Sequence, residues 1–210
     1  RCIYAVDLNP MAVELCKVSL WINASVEDAP LNFLDHHIKC GNSLVGATPE
    51  MLKDGVPYEA FPTKSKSRSG DDGETSKVFR EKTKKERKES KKGEGVQLGA
   101  FSHGMATNPD AHYTAGDFVS LTQEHPQAAR EAYQEWSTTP DRQRAKLEAD
   151  AYTAAFFWPM PEGTDWAPTY GEVFRLQRED PSAIPSKQLD RIEKMAEDYN
   201  FFHWHLEFPE

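Results

Sequence analysis

The opening stretch constrains this chain more than any other. Cys2-Ile3-Tyr4-Ala5-Val6 is an unbroken apolar run, followed at once by Asp7-Leu8-Asn9-Pro10 and then by Met11-Ala12-Val13-Glu14-Leu15, continuing to Asn23. A short apolar run without polar alternation reads as a parallel strand covered on both faces. Asn9 is a good N-cap, and Pro10 falls at the first helical position, where its missing N–H costs nothing. The helix predicted next is apolar almost all round, with Met11, Val13, Leu15, Val18, Leu20, Trp21 and Ile22, so it is expected to pack within a larger body. Strand, acidic residue and capped helix together predict an α/β fold. Open α/β sheets bind ligands outside the carboxyl ends of their strands. Asp7 stands there, placed either to accept hydrogen bonds from two ribose hydroxyls or simply to shape the loop and cap the helix.

A second strand is expected at His36-His37-Ile38-Lys39-Cys40, after a polar connection from Ala24 to Leu34 that holds Pro30. Gly41-Asn42-Ser43 follows it directly, and Gly and Asn tolerate the turn geometry that a strand end demands. If the two strands are neighbours, Asn42 arrives beside Asp7 at one sheet edge. Its amide offers both an acceptor and a donor, enough to read a purine edge; a turn asparagine is the plainer alternative.

Charge is unevenly spread along the 210 residues, whose formal net charge is −9. Between Lys64 and Lys92 stand twelve Lys or Arg against six Asp or Glu, so an acidic body carries one basic segment, a weak pointer to a polyanion. The part from Lys64 to Gly73 is low in complexity and expected to be mobile. Val78 to Lys92 predicts a highly charged helix with almost no apolar face, solvated instead of packed, serving either as a spacer or as a contact for a phosphate backbone. No apolar run approaches the length of a membrane span. Cys2, Cys16 and Cys40 are odd in number and lack Cys-x-x-Cys spacing, which excludes a disulfide framework and a zinc site and suits reduced, buried thiols in the cytoplasm.

Further on, helices are expected over His125–Trp136 and Asp141–Trp158, with Thr139 and Pro140 restarting the chain between them, and over Ser186–Tyr199 with Leu189, Ile192, Ala196 and Tyr199 inward. His203 and His205, two apart, would share one face of a strand; no third ligand is fixed by spacing, so they are read as structural. Arg1 lies inside what should be a strand and Phe208-Pro209-Glu210 has no terminating element, the expectation being an internal piece of a larger protein.

Four stretches carry a resemblance. They are Tyr4 to Leu15 with Ser19-Leu20-Trp21, then Leu34 to Gly46, then Ala151-Tyr152-Thr153-Ala154-Ala155-Phe156-Phe157, then His203 to Glu210. In this order they resemble blocks of adenine-specific DNA methyltransferases, above all the large enzymes of restriction–modification and phage defence, namely type IIG restriction enzymes and the BREX and DISARM methylases. The resemblance implies part of a Rossmann-like S-adenosylmethionine-dependent methyltransferase sheet with a large, mainly helical insertion. It implies that Asp7 binds the cofactor's ribose, that Leu8 packs on its adenine, and that Asn42 with Ser43 lies near the adenine edge. Many relatives carry an aspartate where Asn42 stands, so the contact here would be weaker than a charge-assisted one.

The implied reaction is methyl transfer to the exocyclic nitrogen of an adenine flipped out of double-stranded DNA. The glycine-rich cofactor loop and the Asn-Pro-Pro motif of the family would lie before Arg1 and after Glu210, so no catalytic residue and no metal ligand is assigned here. Residues 1–47 are then a partial methyltransferase core, 48–100 a charged and largely flexible linker, 101–200 a helical insertion, and 201–210 a return to the core. Expected partners are duplex DNA, the remainder of the same polypeptide and other defence-system subunits, with no membrane. The rival reading is a non-catalytic scaffold of a defence complex with a vestigial methylase fold; a dinucleotide-dependent oxidoreductase is a weaker third.

Overall fold

The structure, a computed structural model, describes residues 3–24, 34–61, 74–93, 126–159, 167–178 and 185–208. The chain forms two compact units. The first comprises Arg1–Gly46, Asn108–Lys146 and Tyr199–Glu210, the second Ala47–Thr107 and Leu147–Asp198.

In the first unit, strand β1 (Ala5–Asp7) pairs in parallel with strand β2 (Ile38–Cys40), setting Ala5 opposite Ile38, Val6 opposite Lys39 and Asp7 opposite Cys40. Helix α1 (Pro10–Ala24) makes the connection, the crossover that parallel pairing requires. Its start follows the local chemistry: Asn9 Oδ1 accepts from Met11 N–H at 2.9 Å and Asn9 O from Val13 N–H at 3.1 Å. The expected cover on both strand faces is not found among the described residues. β1 is half-exposed, and α1 buries Val13 while Met11, Leu15 and Ile22 stand exposed. An all-round apolar helix against a two-stranded sheet has only one side to bury.

The C-terminal segment returns to this sheet. Phe201 forms a parallel bridge with Asn42, Asn42 N–H donates to Asn200 O at 2.7 Å, and Phe202 N–H donates to Val45 O at 2.8 Å. This close approach explains Gly46, where an added Cβ would stand 2.0 Å from Phe202 O. His203 and His205 do not share a strand face, because the chain turns into a short helix (Trp204–Glu207) directly after the bridge. Among the described residues no group of His, Cys, Asp and Glu is arranged to hold a metal. Cys16 and Cys40 are free thiols, and Cys40 is exposed where a buried one was expected; Cys2 lies outside the described residues. The unit also holds a helix over Pro126–Ser137, which closes when Thr139 donates its hydroxyl to Trp136 O at 3.0 Å while Thr139 O accepts from Gln143 N–H.

The second unit is helical. Its elements are α2 (Pro49–Asp54), a 3-10 turn (Tyr58–Ala60), α3 (Glu74–Gly93), the later part of a helix spanning Pro140–Ala154, and helices Tyr170–Arg178 and Ser186–Asp198. Val56, Phe61, Phe79, Ala151, Ala154, Val173, Leu176 and Ile192 form its core. Ile192 and Ala196 face inward as expected, but Met195 joins them and Tyr199 is exposed.

The solvated charged helix expected at Val78–Lys92 is corrected. α3 packs on the 3-10 turn and on Tyr170–Arg178, burying Ser76, Phe79 and Thr83. Its arginines supply what an apolar stripe does not: Arg80 donates to the carbonyls of Tyr58 and Phe61, and Arg87 to those of Asp54, Gly55 and Val56 where α2 ends. Gly55 sits at φ +66°, beyond the reach of most side chains. Lys82 pairs with buried Glu172 at 2.8 Å, and Glu86 accepts from Gly171 N–H. Residues 62–73, which include the low-complexity run, lie outside the described residues.

Candidate cofactor site

Parallel pairing sets the carboxyl ends of β1 and β2 side by side. Asp7 is the last residue of β1 and lies opposite Cys40, the last of β2; Gly41 N–H donates to Asp7 O at 2.9 Å, and Asn42 follows. Asp7, Leu8 and Asn42–Ser43 therefore occupy one end of the two-stranded sheet. The Asp7 side chain is exposed, and its Oδ1 accepts from Asn9 N–H at 2.7 Å. That bond fixes the carboxylate across the turn and leaves Oδ2 with no protein partner among the described residues. A carboxylate so held is an acceptor for hydroxyl donors from outside.

Leu8 is exposed beside it, its carbonyl engaged by Cys40 Sγ at 3.6 Å. Asn42 Oδ1 accepts from Leu44 N–H at 3.2 Å, an Asx turn, so its amide N–H groups are the part left to donate outward. Ser43 O takes the indole N–H of Trp204 at 3.1 Å, which ties the loop to the C-terminal segment. Leu44, just past it, is 92% exposed. These features fit a nucleoside: a diol acceptor at Asp7, apolar surface at Leu8, and an amide at Asn42.

An ion cluster beneath this edge escapes a sequence reading. Lys39, the central residue of β2, is 9% exposed, yet its Nζ meets Glu207 Oε2 at 2.8 Å, Glu207 O at 2.6 Å and the Tyr133 hydroxyl. It also lies over the Tyr133 and Phe208 rings. Arg142 donates to Glu207 Oε1 at 3.0 Å and to Leu206 O. Burial alone would raise the Glu207 carboxyl, but Lys39 and Arg142 outweigh it and hold the group below the usual carboxylate range. The sole sequence signal was a lysine in the middle of a short strand.

A cleft of about 300 Å³ opens beside α1, lined by Val13, Lys17, Asp35, Ile38, Lys39 and Tyr133 among others; none of Asp7, Leu8, Asn42 and Ser43 lines it. Lys17 there bonds Asp35 at 2.8 Å and Glu14 at 2.9 Å. Burial works to lower its pKa, and the two carboxylates together raise it. The cleft's charges are thus matched internally. His36, just before the amino end of β2, is driven down to about 4 by burial and by the neighbouring His37 and Lys39, against the pull of Asp35.

The family model for Eco57I restriction-modification methylases matches residues 1–210. The chain belongs to that family. The match spans both units. No curated protein and no solved structure matches the chain. The small parallel sheet in a helix-rich body is compatible with a methyltransferase-like α/β fold in this family. Among the described residues no helix is long and apolar enough to cross a membrane.

Proposed function

We propose that this chain is part of an S-adenosylmethionine-dependent methyltransferase that modifies N6 of a flipped adenine in duplex DNA, within a restriction–modification or phage-defence system. The observation that supports it best is the register of the two strands, with Asp7 opposite Cys40 and Asn42 just beyond, in a chain of a restriction–modification methylase family. S-adenosylmethionine supplies the methyl group. Asp7 accepts from the ribose hydroxyls, Leu8 covers one face of the adenine, and Asn42 with Ser43 lies at its edge. No catalytic residue is assigned within this chain.

Calorimetric titration of the 210-residue chain with S-adenosylmethionine tests the reading. Hydrogen bonds to a charged group contribute about 1.5–3 kcal/mol each, so Asp7→Ala should weaken binding at least tenfold. Asp7→Asn, which keeps an acceptor for Asn9 N–H, controls for the helix start. Equal affinity in all three proteins would remove Asp7 from the site. Isotopic methyl transfer to duplex DNA checks the reaction in the complete enzyme, where label on cytosine instead of adenine would refute the N6 assignment.

A further inference from the structure

Two groups stand out among the basic residues of α3. Arg80, Arg87 and Lys82 are spent on carbonyls and a carboxylate of the same unit. Lys77, Lys84, Lys88 and Lys91 are all exposed. Their offsets of seven, four and three residues set them in one row on the side away from Phe79 and Thr83. At about 1.5 Å per residue the row is roughly 21 Å long. Glu81 holds Lys84 at 3.1 Å, an exposed, salt-screened pair that yields readily to a stronger anion, and Lys84 also lies over the Tyr58 ring. No described carboxylate is paired with Lys77, Lys88 or Lys91.

We propose that this row is a contact surface for the phosphate backbone of duplex DNA. The choice of duplex rests on the methylase reading above; the cation row itself is independent of it. One strand presents a phosphate charge about every 3.4 Å of axis, so the row can follow one strand for several phosphates. A chain of net charge −9 repels a polyanion at long range, which leaves contact to a local patch of this kind. Flexible lysines without a fixed fork suit phosphates, which carry no base information. Duplex binding through the row therefore contributes affinity and salt dependence, without sequence preference.

The test compares two triple variants of equal charge by fluorescence anisotropy of a labelled duplex over a salt series. K77Q/K88Q/K91Q removes three row lysines; K53Q/K187Q/K194Q removes three exposed lysines elsewhere in the same unit. The row variant is expected to reduce the slope of log affinity against log salt by about 2–3, at about 0.9 per phosphate contact, and to weaken low-salt binding at least tenfold. The comparison variant should leave both unchanged. Equal effects of the two triples, no duplex binding by the unsubstituted chain, or binding of polyglutamate in place of the duplex would each overturn the proposal. Titration with S-adenosylmethionine separates the two readings: the row variant should bind it as the unsubstituted chain does. Intact cofactor binding with an unchanged salt slope would strike the row alone, whereas loss of cofactor binding from the unsubstituted chain would strike the methylase reading.

Discussion

Asn42 and Glu207 show how much one side chain decides here. The Asn42 carbonyl oxygen is already engaged by Leu44 N–H, so replacing the amide by a carboxylate preserves the turn and exchanges the outward N–H donors for a charged acceptor at the strand end. Hydrogen bonds to a charged partner are roughly twice as strong as neutral ones. Asn42→Asp should therefore tighten S-adenosylmethionine binding about tenfold, through an added ~1.4 kcal/mol, as read by calorimetry; unchanged or weaker affinity would place the adenine amine elsewhere. Glu207 has a different role. It bridges Lys39 and Arg142 within one unit, and breaking a buried pair by removing one partner is expensive because the other charge stays behind. Glu207→Gln should lower the unfolding free energy by about 3 kcal/mol, measured by urea denaturation at neutral pH. A loss well under 1 kcal/mol would mean that Tyr133 and the backbone carbonyls alone solvate Lys39.

The elements differ in how openly the sequence declares them, and the reason is the range of the forces that set each one. α1 was legible because its start is local chemistry, an Asn-Pro pair whose cap is made within four residues. β1 was legible as a short apolar run and β2 beside the Gly41-Asn42 turn that ends it; the return of 201–210 was implied only by the family resemblance, since nothing near Asn42 encodes a partner as distant as Phe201. α3 misled for another reason. Its buried face is Ser76, Phe79 and Thr83, small polar residues around one ring, which carry almost no hydropathy signal. The packing is completed by arginines that look, in the sequence, like solvated charge. Two substitutions one residue apart separate these cases. Arg87→Met leaves three carbonyls at the end of α2 without their donor and should cost about 2–3 kcal/mol; Lys88→Gln, on the exposed row, should fall within about 0.5 kcal/mol of the unsubstituted chain. Thermal melts of the two variants decide it, and equal losses would contradict the division of α3 into a packed and an outward face.

For the molecule as a whole, the two units differ in their sensitivity to acid. His36, His37, His203 and His205 all belong to the first unit, and no described histidine belongs to the second. His36 is held at about 4, first by burial and then by His37 and Lys39, with Asp35 opposing; His37 is lowered as well, again first by burial. In the unfolded chain both titrate near 6.5. Between pH 6.5 and about 4 the unfolded state therefore binds more protons than the folded one, and stability falls as pH falls through that window. Glu207, whose carboxyl lies below its ordinary value, adds a loss only below about pH 4.5. In the second unit Glu59, exposed and lowered first by its hydrogen bond with Tyr58, acts only in that lower range too. Lowering the pH from 7 to 5 should thus loosen the first unit and spare the second. Hydrogen exchange at the two pH values, corrected for intrinsic rates, reads this directly: amides of 36–42 and 200–206 should lose protection, while those of 79–87 and 172–176 keep theirs. His36→Gln should flatten the response of the first set. Equal loss in both units would show that their unfolding is coupled, so that histidine charging in one is felt throughout the chain.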